Sequence, residues 1–164
     1  MMNRRCLQVV SYHCRYVRFS ATKEFKRENW LLQFDGGSRG NPGIAGAGAV
    51  LYTLDGDGSE NSIIKKTEKW AGYFYIGNST NNVAEYMGLI EGLKQAIVLD
   101  IKYIEIEGDS QLVICQLNGI YKVKHSNLIP LYKGYYYLTT NYLFHNYNKN
   151  HYRSQINDEA FYKL

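Results

Sequence analysis

A chain of 164 residues suits one ordinary domain, and 45% apolar with 21% charged residues is a globular composition, although sixteen tyrosines are many for this length. The formal charge of +4 is unevenly placed: residues 1–29 hold seven Lys or Arg against two Glu, and the remainder hold twelve against thirteen acidic residues. The basic pI of about 8.8 is therefore no argument for nucleic-acid binding by the body of the chain; no apolar run approaches the ~18 residues of a membrane span, and Cys6, Cys14 and Cys115 form neither a CxxC pair nor a disulfide framework.

In chain order, residues 1–27 have one acidic residue, Glu24, and mix Arg with Ser, Tyr and small apolar side chains. That composition predicts a leader or disordered tail of mitochondrial transit type, with nucleus or cytoplasm as the alternative destinations. A single domain over 28–164 should follow. WLLQFD (Trp30 to Asp35) reads as a strand ending at Asp35, because GGSRGNPG after it is dense in turn residues. IAGAGAVLYTL (Ile44 to Leu54) is a second strand and, beyond the Asp-Gly turns of DGDGSEN, SIIKKTEKWAGYFYIG (Ser62 to Gly77) is a third. Short turns between the three imply an antiparallel meander.

Over residues 80–99 the period changes. Val83, Met87, Ile90, Leu93 and Ile97 recur at three- and four-residue steps, predicting a long helix with that stripe as its buried face. KYIEIEG (Lys102 to Gly108) alternates again as a fourth strand, and DSQLVICQLNG is a short helix closed by Gly119. Residues 126–140 read as a helix weakened at Gly134, NYLFHNY (Asn141 to Tyr147) as a fifth strand, and the last twelve residues as the start of a helix. The whole is an α/β fold with a mixed five-stranded sheet, antiparallel in its first three strands and parallel in the last two, flanked by helices.

Three acidic residues stand at element ends, each with a structural explanation beside a chemical one. Asp35 can begin the glycine-rich turn, Glu85 stands at capping-box spacing from Asn82, and Asp109 can cap the helix that starts at Ser110. Together they can converge, and clustered carboxylates repel unless cations neutralise them. Mg²⁺ is the expected cation, as a hard ion that favours oxygen ligands. The Gly43 to Gly48 run fits neither a dinucleotide nor a P-loop motif, and it enters a strand rather than a helix.

FDGGSRGNPGIAGAGAV (Phe34 to Val50), STNNVAEYMGLIEGLKQA (Ser79 to Ala96) and IEGDSQLVICQLNG (Ile106 to Gly119) resemble, in order and spacing, the three successive motifs of type 1 ribonuclease H. The resemblance implies the ribonuclease H-like fold and hydrolysis of the RNA strand of an RNA/DNA hybrid, leaving 5′-phosphate and 3′-hydroxyl ends. It further implies metal ligation by Asp35, Glu85 and Asp109, with two Mg²⁺ ions (Mn²⁺ substituting) that activate water and stabilise the leaving oxygen. Asn41 and Thr80 match positions that hold a DNA phosphate; Asn81, Asn82 and Gln111 match positions facing the minor groove, where amides read 2′-hydroxyls and base edges.

The family's closing pattern supplies a substrate-side His and a fourth metal-ligating Asp. Here His151, Asn157 and Ala160 fall into step with it, Arg153 sits one place early, and Phe161 occupies the Asp position. Asp158 is the ligand in a shifted frame, or this C-terminus lacks one. GIYKVKHSN carries only Lys122 and Lys124, so the chain is similar to the compact forms without a basic insertion, and a monomer with modest, salt-sensitive hybrid affinity is expected. An inactive hybrid-binding module is the alternative reading.

Overall fold

A computed structural model describes residues 16–17, 29–55 and 65–143. Strands β2 (Asn29–Gly40), β3 (Gly43–Asp55) and β4 (Lys65–Ser79) form the expected antiparallel meander, and β5 (Ile104–Gly108) lies parallel to β2 on its other side. A two-residue strand β1 (Tyr16–Val17), within the stretch read as a leader, pairs antiparallel with the outer edge of β5. The strand order is β1-β5-β2-β3-β4.

β2 does not end at Asp35. It continues through the glycine-rich segment to Gly40, each residue from Asp35 to Gly40 facing a partner from Gly48 to Gly43, so that only Asn41 and Pro42 make the turn. Gly43 has Arg39 O 1.8 Å from where a Cβ would lie, a backbone approach open only to glycine.

Helix α1 (Asn81–Val98) crosses the sheet, with helix α2 (Gln111–Leu117) and helix α3 (Ile129–Leu138) beside it. The apolar spacing marks the buried face only in part. Ile90 and Leu93 are buried and Val83, Met87 and Ile97 only partly so, whereas Gly88, Leu89, Gly92 and Ala96, which the spacing does not mark, are enclosed. A Cβ at Gly88 would lie 2.9 Å from both Asp35 O and Gly48 O, and one at Gly92 2.3 Å from Leu32 Cδ1. Small residues let the helix sit close enough for Leu89 and Leu93 to fill the space beside them, each contributing ~1.5–3 kcal/mol by leaving water.

The core joins Leu32, Phe34 and Leu51 of the sheet, Tyr86, Leu89 and Leu93 of α1, Ile104 and Ile106 of β5, Val113, Ile114 and Leu117 of α2, and Leu128 and Tyr135 near and on α3. Between helices, the Tyr86 hydroxyl donates to Gln116 Oε1 (2.7 Å), a buried bond tying α1 to α2. α3 runs through Gly134 without a break.

The fifth strand expected over residues 141–147 is not formed at its start. Residues Thr139–Leu143 continue α3 as a wider helical turn. The Thr139 hydroxyl donates to Tyr135 O (3.0 Å), the Thr140 hydroxyl to Tyr136 O (2.7 Å) and the Asn141 amide to Tyr137 O (2.9 Å), so these side chains extend the helix instead of starting a ladder. Residues 144–147 lie outside the described residues, as do the remaining leader positions and the expected terminal helix.

Candidate active site

Parallel pairing of β2 with β5 sets Phe34 opposite Gly108 and so brings the next residues, Asp35 and Asp109, to neighbouring positions at one end of the sheet. α1 reaches the same end because nothing stands between it and β2: a Cβ on Gly36 would lie 2.2 Å from Ala84 C and 2.3 Å from Glu85 N. Asp35, Glu85 and Asp109 each offer a carboxylate oxygen within 4.8 Å of the others.

Their environments differ. Asp35 and Asp109 are exposed, whereas Glu85 is 4% exposed and its Oε2 has no hydrogen-bond partner among the described residues. Burial first, then the charges of Asp109 and Asp35, push the Glu85 carboxyl from its ordinary 4.5 up to about 8, against an opposing backbone hydrogen bond from Gly36. A buried carboxylate oxygen without a donor is costly unless a proton or a cation meets it. All-oxygen carboxylate donors of this kind suit a hard divalent ion.

The structural alternatives for all three carboxylates are corrected. The N-cap of α1 is Thr80, whose hydroxyl accepts from Val83 N–H (3.4 Å), and Asn82 is already inside the helix, so Glu85 closes no capping box. Ser110 caps α2 by accepting from Val113 N–H (3.5 Å), which leaves Asp109 outside the cap. Asp35 lies within β2 and begins no turn; its Oδ1 accepts from Gly36 N–H at 2.7 Å.

Of the other sequence-derived residues, Asn41, Thr80, Asn81 and Asn82 gather at the start of α1, and Gln111 opens α2. Asn41 Oδ1 accepts from Asn81 N–H (3.2 Å), and Asn81 Oδ1 accepts from Ser38 N–H (3.2 Å), so the β2–β3 turn and the helix entry are laced together. Asn41, Asn81 and Gln111 are exposed; Thr80 and Asn82 are half-buried. His151, Arg153 and Asp158 lie outside the described residues.

An open cleft of about 950 Å³ runs from Asp35 and Asp109 across Gly46 and Gly48 to Tyr73 and Tyr75. Along it, Gln33 Nε2 donates to Glu107 Oε2 (2.8 Å), and Lys66 Nζ lies 3.5 Å from the same oxygen. The sequence reading missed this network. Its signal was the strand alternation, since Gln33 and Glu107 stand two residues before Asp35 and Asp109 on strands whose register pairs them.

Residues 33–162 match the family described as reverse transcriptase-like. The chain is 47% identical over 102 residues to the Mycobacterium tuberculosis protein called "Bifunctional protein Rv2228c", covering 62% of this chain and 26% of that protein. It is 44% identical over 95 residues to "Ribonuclease HI" of Halobacterium salinarum, covering 58% of this chain and 43% of the relative. The chain thus spans about a quarter of the first relative and under half of the second. Among solved structures, "LC11-RNase H1 in complex with RNA/DNA hybrid" superposes with a TM-score of 0.57 at 32% identity, covering 70% of this chain and 78% of that one.

Proposed function

The chain belongs to the reverse transcriptase-like family, in which its relatives are ribonucleases H, and from that membership we propose that it hydrolyses the RNA strand of RNA/DNA hybrids with divalent metal held by Asp35, Glu85 and Asp109. The observation that carries the reading is the convergence of these three carboxylates from β2, α1 and the end of β5, with a buried Glu85 oxygen that no donor among the described residues satisfies. Mg²⁺ is the proposed ion, with Mn²⁺ as its substitute. When bound, such ions lower the pKa of an attacking water and stabilise the leaving oxygen of the phosphodiester.

The protein's own groups divide the remaining work. Asp35 and Asp109, both exposed, line the cleft, and together with the buried Glu85 they would hold the metal. The first turn of α1 carries the positive end of the helix dipole, which favours a phosphate there. Thr80 and Asn41, already hydrogen-bonded into that entry, add a hydroxyl and an amide as donors for a DNA-strand phosphate. Asn81, Asn82 and Gln111 read the minor groove, where amides both donate to and accept from ribose hydroxyls.

Incubation of the full chain with a labelled hybrid and Mg²⁺ tests the reading: the RNA strand should be cut, the DNA strand left intact, and Asp109→Asn or Asp35→Asn should reduce the rate at least ~10²-fold. A folded protein that cuts nothing in Mg²⁺ or Mn²⁺ sinks it. Phe161 at the position of the family's fourth carboxylate favours a second reading, an inactive hybrid-binding module. Hybrid binding without turnover would select that one. Asp158→Asn separates the remaining cases, since a loss matching Asp109→Asn makes Asp158 the fourth ligand. The proposed mitochondrial destination rests on the composition of residues 1–27 and is tested by whether they carry a fused reporter into mitochondria.

A further inference from the structure

β1 lies within the leader, and its pairing fixes the direction from which the chain before it arrives. Tyr16 stands opposite Glu107 and Val17 opposite Ile106, antiparallel to β5. Followed backwards from Tyr16, the chain therefore points along β5 towards Gly108, where that strand ends, and Asp109 just beyond it. Asp109 is two residues past Glu107, ~7 Å of extended chain. Forwards from Val17 the chain runs the other way, to Asn29 at the start of β2, where Trp30 faces Ile104.

The segment so aimed is cationic. Residues 1–15 hold Arg4, Arg5, His13 and Arg15 and no Asp or Glu. Its target is anionic: Asp35, Glu85 and Asp109 bring carboxylate oxygens within 4.8 Å of one another, and the buried Glu85 Oε2 has no hydrogen-bond partner among the described residues. Guanidinium groups stay charged at any working pH and pair with carboxylates through two parallel N–H donors. Tethered through Tyr16, they reach the cluster at an effective concentration on the order of millimolar.

We propose that residues 1–15 are a built-in competitor for the carboxylate cluster, Arg15 together with Arg4 and Arg5 offsetting the charge that a divalent ion would otherwise meet. The proposal rests on the metal reading above and adds regulation to that site. β1 is the clip that holds the segment against β5. The leader weakens metal binding without abolishing it, because a divalent ion carries twice the charge of one guanidinium. Proteolytic removal of residues 1–15 releases the site.

Thermal melts of the full chain across a Mg²⁺ series read metal affinity without cleavage. Arg4→Ala with Arg5→Ala and Arg15→Ala should lower the apparent dissociation constant for Mg²⁺ at least roughly threefold at about 50 mM salt, the size expected of unit charges ~10 Å away in water. The gain should vanish near 1 M salt, where the Debye length falls to about 3 Å. Val17→Pro, which removes an N–H and holds φ near about −65°, should undo β1 and reproduce the gain. Arg18→Ala with Lys23→Ala and Lys26→Ala removes the same charge from the stretch that leads away from Asp109 and should leave the affinity unchanged. Hybrid cleavage at limiting Mg²⁺ should rise in step with the gain. A parent Mg²⁺ response that the arginine variants do not alter overturns the proposal and leaves the metal reading standing, as does an equal gain in the control. Arginine variants that lose hybrid affinity instead make the leader a grip for the duplex and overturn it too. A parent with no Mg²⁺ response in melting or cleavage removes the metal reading and the proposal together.

Discussion

At the scale of the residue, Glu85 concentrates the chemistry. Its carboxyl is raised from 4.5 to about 8 by burial and by Asp109 and Asp35, so in the metal-free protein the folded state keeps a proton that the unfolded chain releases. A raised carboxyl gives its full stability below pH 4.5, and that stability is lost as pH climbs towards 8. At 1.36 kcal/mol per unit, the loss reaches roughly 3 kcal/mol by neutral pH. Glu85→Gln supplies a permanently neutral amide of similar shape. In chelator, this variant should match the wild type at pH 5 and exceed it by a few kcal/mol at pH 8, measured by urea denaturation, and it should lose metal-dependent cleavage. Equal stabilities at both pH values would remove the case for a strained carboxyl. The same proton must leave when a cation binds, so apparent metal affinity should rise with pH up to about 8.

At the scale of the element, the glycines decide where Glu85 stands. Gly36 meets the backbone of Ala84 and Glu85 with no room for a Cβ, whereas a Cβ on Gly37 would meet nothing nearer than Asn81 Oδ1 at 3.8 Å. Gly36→Ala must push α1 off the sheet, at a cost of ~1–3 kcal/mol or more, and cleavage should fall further than stability because the anchoring carboxylate moves with the helix. Gly37→Ala is the matched control and should leave thermal stability within ~1 kcal/mol of the wild type. Equal effects of the two substitutions would contradict the close approach. These contacts explain what the sequence shows of the elements and what it hides. α1 was legible almost to its ends, 80–99 expected against 81–98 observed, because period 3.6 is a strong signal. Its buried stripe was legible only in part, at Ile90 and Leu93, because Gly88 and Gly92 mark the rest by the absence of a side chain. Nor was the length of β2, since glycines are poor strand formers and the run to Gly40 is held by its pairing with β3 rather than by propensity. The strand read over 141–147 failed at its start because Thr139, Thr140 and Asn141 bond back to helical carbonyls, an outcome that depends on a helix already being in place.

At the scale of the whole molecule, folding itself assembles the carboxylate cluster. Asp35, Glu85 and Asp109 are fifty and twenty-four residues apart in sequence, and only the parallel register of β2 with β5 and the seating of α1 bring their oxygens within 4.8 Å. Their identity was legible as acidic residues at element ends; the inequality between a buried, unmatched Glu85 and two exposed partners was not, because it arises from packing. Three like charges held this close oppose the native state unless protons or cations offset them, and the unfolded chain, with the three dispersed, has no comparable site. Divalent metal bound at the proposed site should therefore stabilise the fold by mass action, by about 2.7 kcal/mol at a hundred times its dissociation constant. For a domain of this size that is a rise in Tm of roughly 5–10 °C. Melting curves in Mg²⁺ against chelator should show the rise for the wild type and lose it for Asp35→Asn and Asp109→Asn. In chelator those variants should melt no lower than the wild type, because each removes a repelling charge. A metal-independent wild-type Tm, or variants that melt well below it in chelator, would mean that these carboxylates are structural and that the cleft binds its substrate without an ion.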